Sequence, residues 1–151
     1  MSIYLLDSSN HFHCIKGCNF ILRIMKSKQV LSIDQMKHLQ ELSLDTSDAS
    51  MCFEWKEPDK NNMVVSFLDA DTNYDCYHPT YALQDILDKQ PCFIGTHVLT
   101  LQKLENSYTC LYMESYSRSI LNMTESKELI DASYYMLCWC IENGYIKKEG
   151  E

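Results

Sequence analysis

The last third of the chain commits it to burying a helix. Leu129, Ala132, Met136 and Cys140, with Leu137 and Ile141 beside them, recur at helical spacing and form one apolar stripe. Thr124 is a good N-cap, and Glu125 and Glu128 fall where a first turn favours anions. Asn143-Gly144 supplies a C-terminal cap. A helix of this kind needs a partner layer, so the remaining elements must present one.

They do so in pairs. Ile3–Leu6 is a short apolar run before the turn-like Asp7-Ser8-Ser9-Asn10, and Phe12–Ile15 and Phe20–Met25 read as strands around Lys16-Gly17. Ser32 with Gln35 is a capping-box pattern opening a helix whose stripe is Ile33, Met36, Leu39 and Leu42. Met51–Trp55 and Met63–Leu68 predict a hairpin, and 69–79 a loop. Thr80 opens a short helix with Ala82, Leu83, Ile86 and Leu87 on one face, ended by Pro91. His97–Leu104 and Tyr108–Ser115 predict a second hairpin around Glu105-Asn106-Ser107, and 116–122 extends it or pairs again.

The fold class expected is α+β, an antiparallel β-sheet with about three helices packed on it. At 151 residues, 46% hydrophobic and 23% charged, the chain suits a single compact domain, 1–151. Disorder is expected only at 147–151. The seven Gly and Pro residues argue against a loop-rich scaffold.

Charge is concentrated. Between Glu41 and Asp75 lie nine acids (Glu41, Asp45, Asp48, Glu54, Glu57, Asp59, Asp69, Asp71, Asp75) and two bases (Lys56, Lys60), a net of −7 against −8 for the whole chain. Such a segment repels nucleic acid and attracts basic surfaces. The chain also lacks a Lys/Arg stripe, which excludes direct nucleic-acid binding as the leading reading. Trp55, Tyr74 and Tyr77 stand among these acids as aromatic anchors. The partner-binding set expected is Glu54, Trp55, Glu57, Asp59, Asp69, Asp71, Tyr74, Asp75 and Tyr77, facing a basic protein target. The plainer reading is a solvated surface that keeps the protein soluble. Ten Tyr suit half-buried surfaces and are compatible with a homodimer.

Other chemistry is weaker. His11, His13, Cys14 and Cys18 are residue types that zinc takes, but adjacent strand residues such as His13 and Cys14 face opposite ways, and a strand with a Gly turn explains the run. Asp69, Asp71, Asn73 and Asp75 match the first half of a calcium loop, yet Tyr74 and Thr80 stand where the loop needs Gly and Glu. Cys76 near His78 lies among acids that raise a thiol's pKa, which argues against a nucleophile. Gly17, Gly95, Gly144 and Gly150 are isolated, so no phosphate loop exists. The expectation is no cofactor and no enzyme.

The opening Met1–Asp7 has no basic region and no long apolar one, and Ala132–Ile141 is too short to span a bilayer. A cytoplasmic protein with no membrane partner is expected. Eight Cys then read as reduced thiols; Cys14, Cys52, Cys110, Cys138 and Cys140, set among apolar residues, act as small hydrophobes.

The second half resembles small phage-encoded proteins with an α/β "ABA sandwich" domain. The resemblance covers about 74–144. It rests on the Tyr77–Leu87 run, similar to a helix after a Tyr- or Pro-containing turn, then a two-strand segment with aromatic residues. The closing Thr124–Tyr145 run resembles that family's final helix, although Ser133-Tyr134-Tyr135 stands where smaller residues are usual. The resemblance makes 73–146 the ABA-sandwich-like part and 1–72 an N-terminal extension. It implies a phage or mobile-element gene in a bacterial host cell, an accessory role and no shared catalytic residues. The functions expected are an inhibitor of a basic nucleic-acid-handling or defence protein, an immunity protein that neutralises a cognate toxin, or a zinc-stabilised regulatory module.

Overall fold

The computed structural model describes residues 4–6, 12–14, 28–55, 63–67 and 77–147. It is an α+β arrangement. Strands β1 (Tyr4–Leu6) and β2 (Phe12–Cys14) pair antiparallel. Helix α1 (Ile33–Glu41) follows, then β3 (Met51–Trp55), β4 (Met63–Phe67) and β5 (Tyr77–Thr80), which form an antiparallel sheet in the order β4-β3-β5. Helix α2 (Leu83–Lys89) leads to β6 (Phe93–Ile94), β7 (His97–Lys103), β8 (Tyr108–Glu114) and β9 (Ile120–Ser126), a four-stranded antiparallel meander. Helix α3 (Leu129–Glu142) closes the chain. Among the described residues no helix is long and apolar enough to cross a membrane.

α1 begins as its residues dictate. The Ser32 hydroxyl accepts from Gln35 N at 3.2 Å, and Gln35 Oε1 accepts from Ser32 N at 3.0 Å, so two orphan amides are satisfied reciprocally. Met36 and Leu39 are its buried pair. At its far end Ser43 N donates to Gln40 O and Leu44 N to Leu39 O, a Schellman cap with Ser43 at φ +65°.

α3 is apolar on two sides because it serves two cores. Ile130, Tyr134, Leu137, Cys138 and Ile141 meet Met36, Leu39, Leu44, Tyr81 and Ile86 from the other helices and their flanks. Ala132, Met136 and Cys140 pack on Cys110 and Tyr112 of β8. The helix ends in a second Schellman cap: Gly144 N donates to Ile141 O at 3.1 Å and Tyr145 N to Cys140 O at 2.9 Å, with Gly144 at φ +73°. The Tyr145 ring lies 5.1 Å from that of Trp139, the hydrophobic contact typical of this cap.

Three sequence expectations are corrected. Thr124 does not cap α3; it lies inside β9, opposite Cys110, and Glu128 takes the N-cap place. Its hydroxyl donates instead to Ala132 O at 2.7 Å, tying strand to helix. Glu125 is accordingly a strand residue. Thr80 does not open α2 but ends β5, and the helix starts at Leu83. The loop expected over 69–79 yields its last three residues to β5, where Pro79 sits opposite Cys52 on an edge strand, the position in a sheet that tolerates a missing N–H. The strand expected over 20–25 lies outside the described residues.

Candidate acidic docking face

Of the nine residues expected to bind a partner, Glu54, Trp55 and Tyr77 fall within the described backbone. Glu57, Asp59, Asp69, Asp71, Tyr74 and Asp75 lie outside the described residues. Glu54 is half-buried on β3, and its Oε2 accepts from Ser66 Oγ at 3.2 Å. Glu54 and Tyr77 are direct register partners across β3 and β5, and Trp55 is paired with Met63. The 56–62 connection, with Glu57 and Asp59, joins β3 to β4 at that end of the sheet. The 68–76 connection, with Asp69, Asp71, Tyr74 and Asp75, delivers the chain to the same end at Tyr77. The 56–62 connection therefore begins and ends next to Glu54, whereas the 68–76 connection leaves β4 at Phe67, the register partner of Met51 at the opposite end, and reaches Glu54 only where it enters β5 at Tyr77.

A second group of acids surrounds Tyr81. This side chain is fully buried, yet its hydroxyl lies 2.9 Å from both Asp45 O and Asp48 Oδ1. Lys89 Nζ reaches Asp48 Oδ2 at 2.7 Å. Asp85 Oδ2 accepts from Ala82 N at 2.8 Å and from Ser50 Oγ at 2.6 Å, so it holds the start of α2 against the 42–50 link. Burial pushes the Tyr81 phenol up, and the charges of Asp48, Asp45 and Asp85 add to the shift. Burial penalises the Asp48 carboxylate, but hydrogen bonds from Lys89 and Tyr81 outweigh it and hold its pKa below the ordinary value. Asp45 is also lowered, by the Ser47 N–H at 2.9 Å.

β5 connects the two groups. Tyr77 and Tyr81 are four residues apart along extended chain, about 13 Å. Asp45 and Asp48 belong to the segment picked out by charge. Asp85 does not, and its only sequence signal is its place three residues after Ala82 at the start of a helix.

A different cluster has the residue types of a catalytic dyad. His38 Nδ1 lies 2.6 Å from Tyr134 Oη and 3.9 Å from Cys138 Sγ. Burial pushes the Cys138 thiol up to about 11, so it is protonated at neutral pH and is no nucleophile. The group instead joins α1 to α3. Nearby, Lys28 Nζ meets Asp131 Oδ1 at 2.5 Å, and Gln35 Nε2 donates to the same oxygen at 2.9 Å.

Of the zinc-type residues, His13 and Cys14 are consecutive positions of β2, paired with Leu5 and Tyr4; His11 and Cys18 lie outside the described residues. So do Cys76 and the calcium-like Asp69, Asp71, Asn73 and Asp75. Among the described residues no three His, Cys, Asp or Glu side chains are grouped to hold a metal ion. Comparison with protein families, with curated proteins and with solved structures finds no match to this chain.

Proposed function

We propose that this protein is a small acidic binding protein, non-enzymatic, that inhibits a basic nucleic-acid-handling or defence protein by occupying its surface. The observation that carries the reading is the gathering of Asp45, Asp48 and Asp85 around one buried tyrosine, with Lys89 as the counter-ion bonded to Asp48. β5 runs from this group to the end of the sheet where Glu54 stands, where the 56–62 connection begins and the 68–76 connection ends. Carboxylates held on ordered backbone present charge at low entropic cost, which favours association with a positive surface. The phage or mobile-element setting rests on the resemblance of the second half. An immunity protein would use the same face on a cognate toxin, and an adjacent toxin gene distinguishes it from an anti-defence role.

The test is capture of binding proteins from host lysate on the immobilised chain at graded salt, beside the triple variant Asp69→Lys, Asp71→Lys, Asp75→Lys. Basic proteins should be retained at low salt, released as salt screens the charges, and lost by the variant. Close interfacial charge pairs couple by about 1.5–7 kcal/mol, so three reversals remove measurable binding outright. Retention of the same proteins by both chains, or retention indifferent to salt, refutes the docking face.

A further inference from the structure

β9 ends the four-stranded sheet, and among the described residues no strand pairs with its outer side. The hydrogen-bond alternation of an antiparallel sheet fixes which of its groups face outward. Leu104 N donates to Ser107 O at the β7–β8 turn, so 102/109 and 100/111 are the bonded pairs between those strands. Tyr108, Cys110 and Tyr112 then bond to β9, through Ser126, Thr124 and Asn122. The bond from Glu114 N to Ser119 O has the same parity. The N–H and C=O of Met123 and Glu125 therefore point away from the sheet.

Sheet edges are ordinarily guarded by Lys, by Pro or by brevity. β9 has seven residues, Ile-Leu-Asn-Met-Thr-Glu-Ser, with neither Lys nor Pro. It exposes Ile120 at 51%, Leu121 at 39% and Met123 at 51%. Its one irregularity is a bulge beside Tyr112/Met113, at the Ile120 end, which leaves Asn122–Ser126 in regular register.

The charge distribution selects the occupant. The net charge of −8 opposes the approach of like-charged surfaces. However, 92–126 holds only Glu105, Glu114 and Glu125 against Lys103 and Arg118, a net of −1. The unguarded edge lies in the nearly neutral part of the chain, where a second copy meets little repulsion.

We propose that the protein self-associates through β9, antiparallel to β9 of a second copy, joining two four-stranded sheets into one of eight. The two-fold axis falls at Met123. That register sets Met123 against Met123 of the second copy and Glu125 against Leu121, so no like charges stand directly opposed. The contact is isologous and closes at the dimer, leaving no free β9 edge to propagate.

Sedimentation equilibrium and hydrogen exchange on the full chain test this. The expected mass rises with concentration to twice 17.7 kDa, and the amides of Met123 and Glu125 gain protection in step. Met123→Lys places a guard on an already exposed position, so circular dichroism should be unchanged while the chain stays at 17.7 kDa. A wild-type chain that remains monomeric over the range overturns the proposal. So does a dimer that Met123→Lys leaves intact, or one in which the Met123 and Glu125 amides exchange as fast as in the monomer.

Discussion

The Tyr81 hydroxyl lies 2.9 Å from Asp48 Oδ1 and equally far from Asp45 O, so a fully buried ring ends in a proton shared by two acceptors of one loop. Removing the hydroxyl leaves the packing and deletes the donor. Tyr81→Phe should cost about 1–2 kcal/mol, the net worth of a hydrogen bond to a charged group with one neutral acceptor beside it. Urea unfolding at neutral pH measures it, and a loss under 0.5 kcal/mol would make the loop anchor unimportant.

Asp48 links that anchor to pH. Its pKa lies below the ordinary 3.8, so the folded state favours the ionised form. A depressed carboxylate contributes stability that is complete above its unfolded pKa and fades as pH falls through the folded one. Asp48→Asn should therefore be less stable than the parent chain at pH 7, and the gap should narrow as pH drops below 3.8. Denaturation curves of both chains across that range settle the sign; a gap that widens in acid contradicts it.

The two Schellman caps predict opposite responses to removing and to adding a Cβ at a left-handed position. Ser43 holds φ +65° with a Cβ, whereas Gly144 holds φ +73° without one. The left-handed region costs a side-chain-bearing residue about 1–2 kcal/mol. Ser43→Gly should stabilise by about 1 kcal/mol, less a few tenths for added freedom in the unfolded chain. Gly144→Ala should destabilise by about 1 kcal/mol, and through backbone strain alone, since a Cβ there meets nothing within 4 Å. Thermal unfolding of the two variants side by side checks both directions.

What the residues foretold follows how local each signal is. The Ser32–Gln35 box and the Asn143-Gly144 cap are complete within a few residues, and both form. Cys52, Cys110, Cys138 and Cys140 are buried free thiols, as their apolar neighbours suggest. Thr124 failed because its partner is distant in sequence: pairing with Cys110 on β8 outweighs a capping signature. Pro79 hid β5 because a proline is allowed in a strand only at an edge, and edges are a property of the assembled sheet. The acidic segment was legible as charge, but not the share of it that Tyr81 collects. That share includes Asp85, which lies outside the segment and comes near only when α2 packs against the 42–50 link.

Thiol reactivity should divide sharply. Cys92 is exposed, while burial pushes Cys138 and Cys140 up to about 11 and Cys110 up to about 12. At pH 8 a thiol of pKa 11 is ionised to about one part in a thousand, and the thiolate is the nucleophile. Brief alkylation of the native protein, read by peptide mass, should mark Cys92 and spare these three until denaturant is added. Early labelling of Cys138 would show the His38 contact activating it after all.

Two buried threonines should answer the same substitution with opposite signs. Thr80 is 0% exposed, and its hydroxyl donates to Leu31 O at 2.8 Å, pinning the segment ahead of α1 to β5. Thr109 is 2% exposed, and its hydroxyl has no hydrogen-bond partner among the described residues. Valine keeps the β-branched shape in both places and exchanges the hydroxyl for a methyl. At Thr80 the change removes a made hydrogen bond and strands a buried carbonyl, a loss of about 1–3 kcal/mol. At Thr109 it removes a polar group whose desolvation no described residue offsets, a gain of about 1 kcal/mol. Urea midpoints that move apart, with Thr109→Val above the parent chain and Thr80→Val below it, are the expected result. Equal losses at both sites would mean that the Thr109 hydroxyl is satisfied in solution.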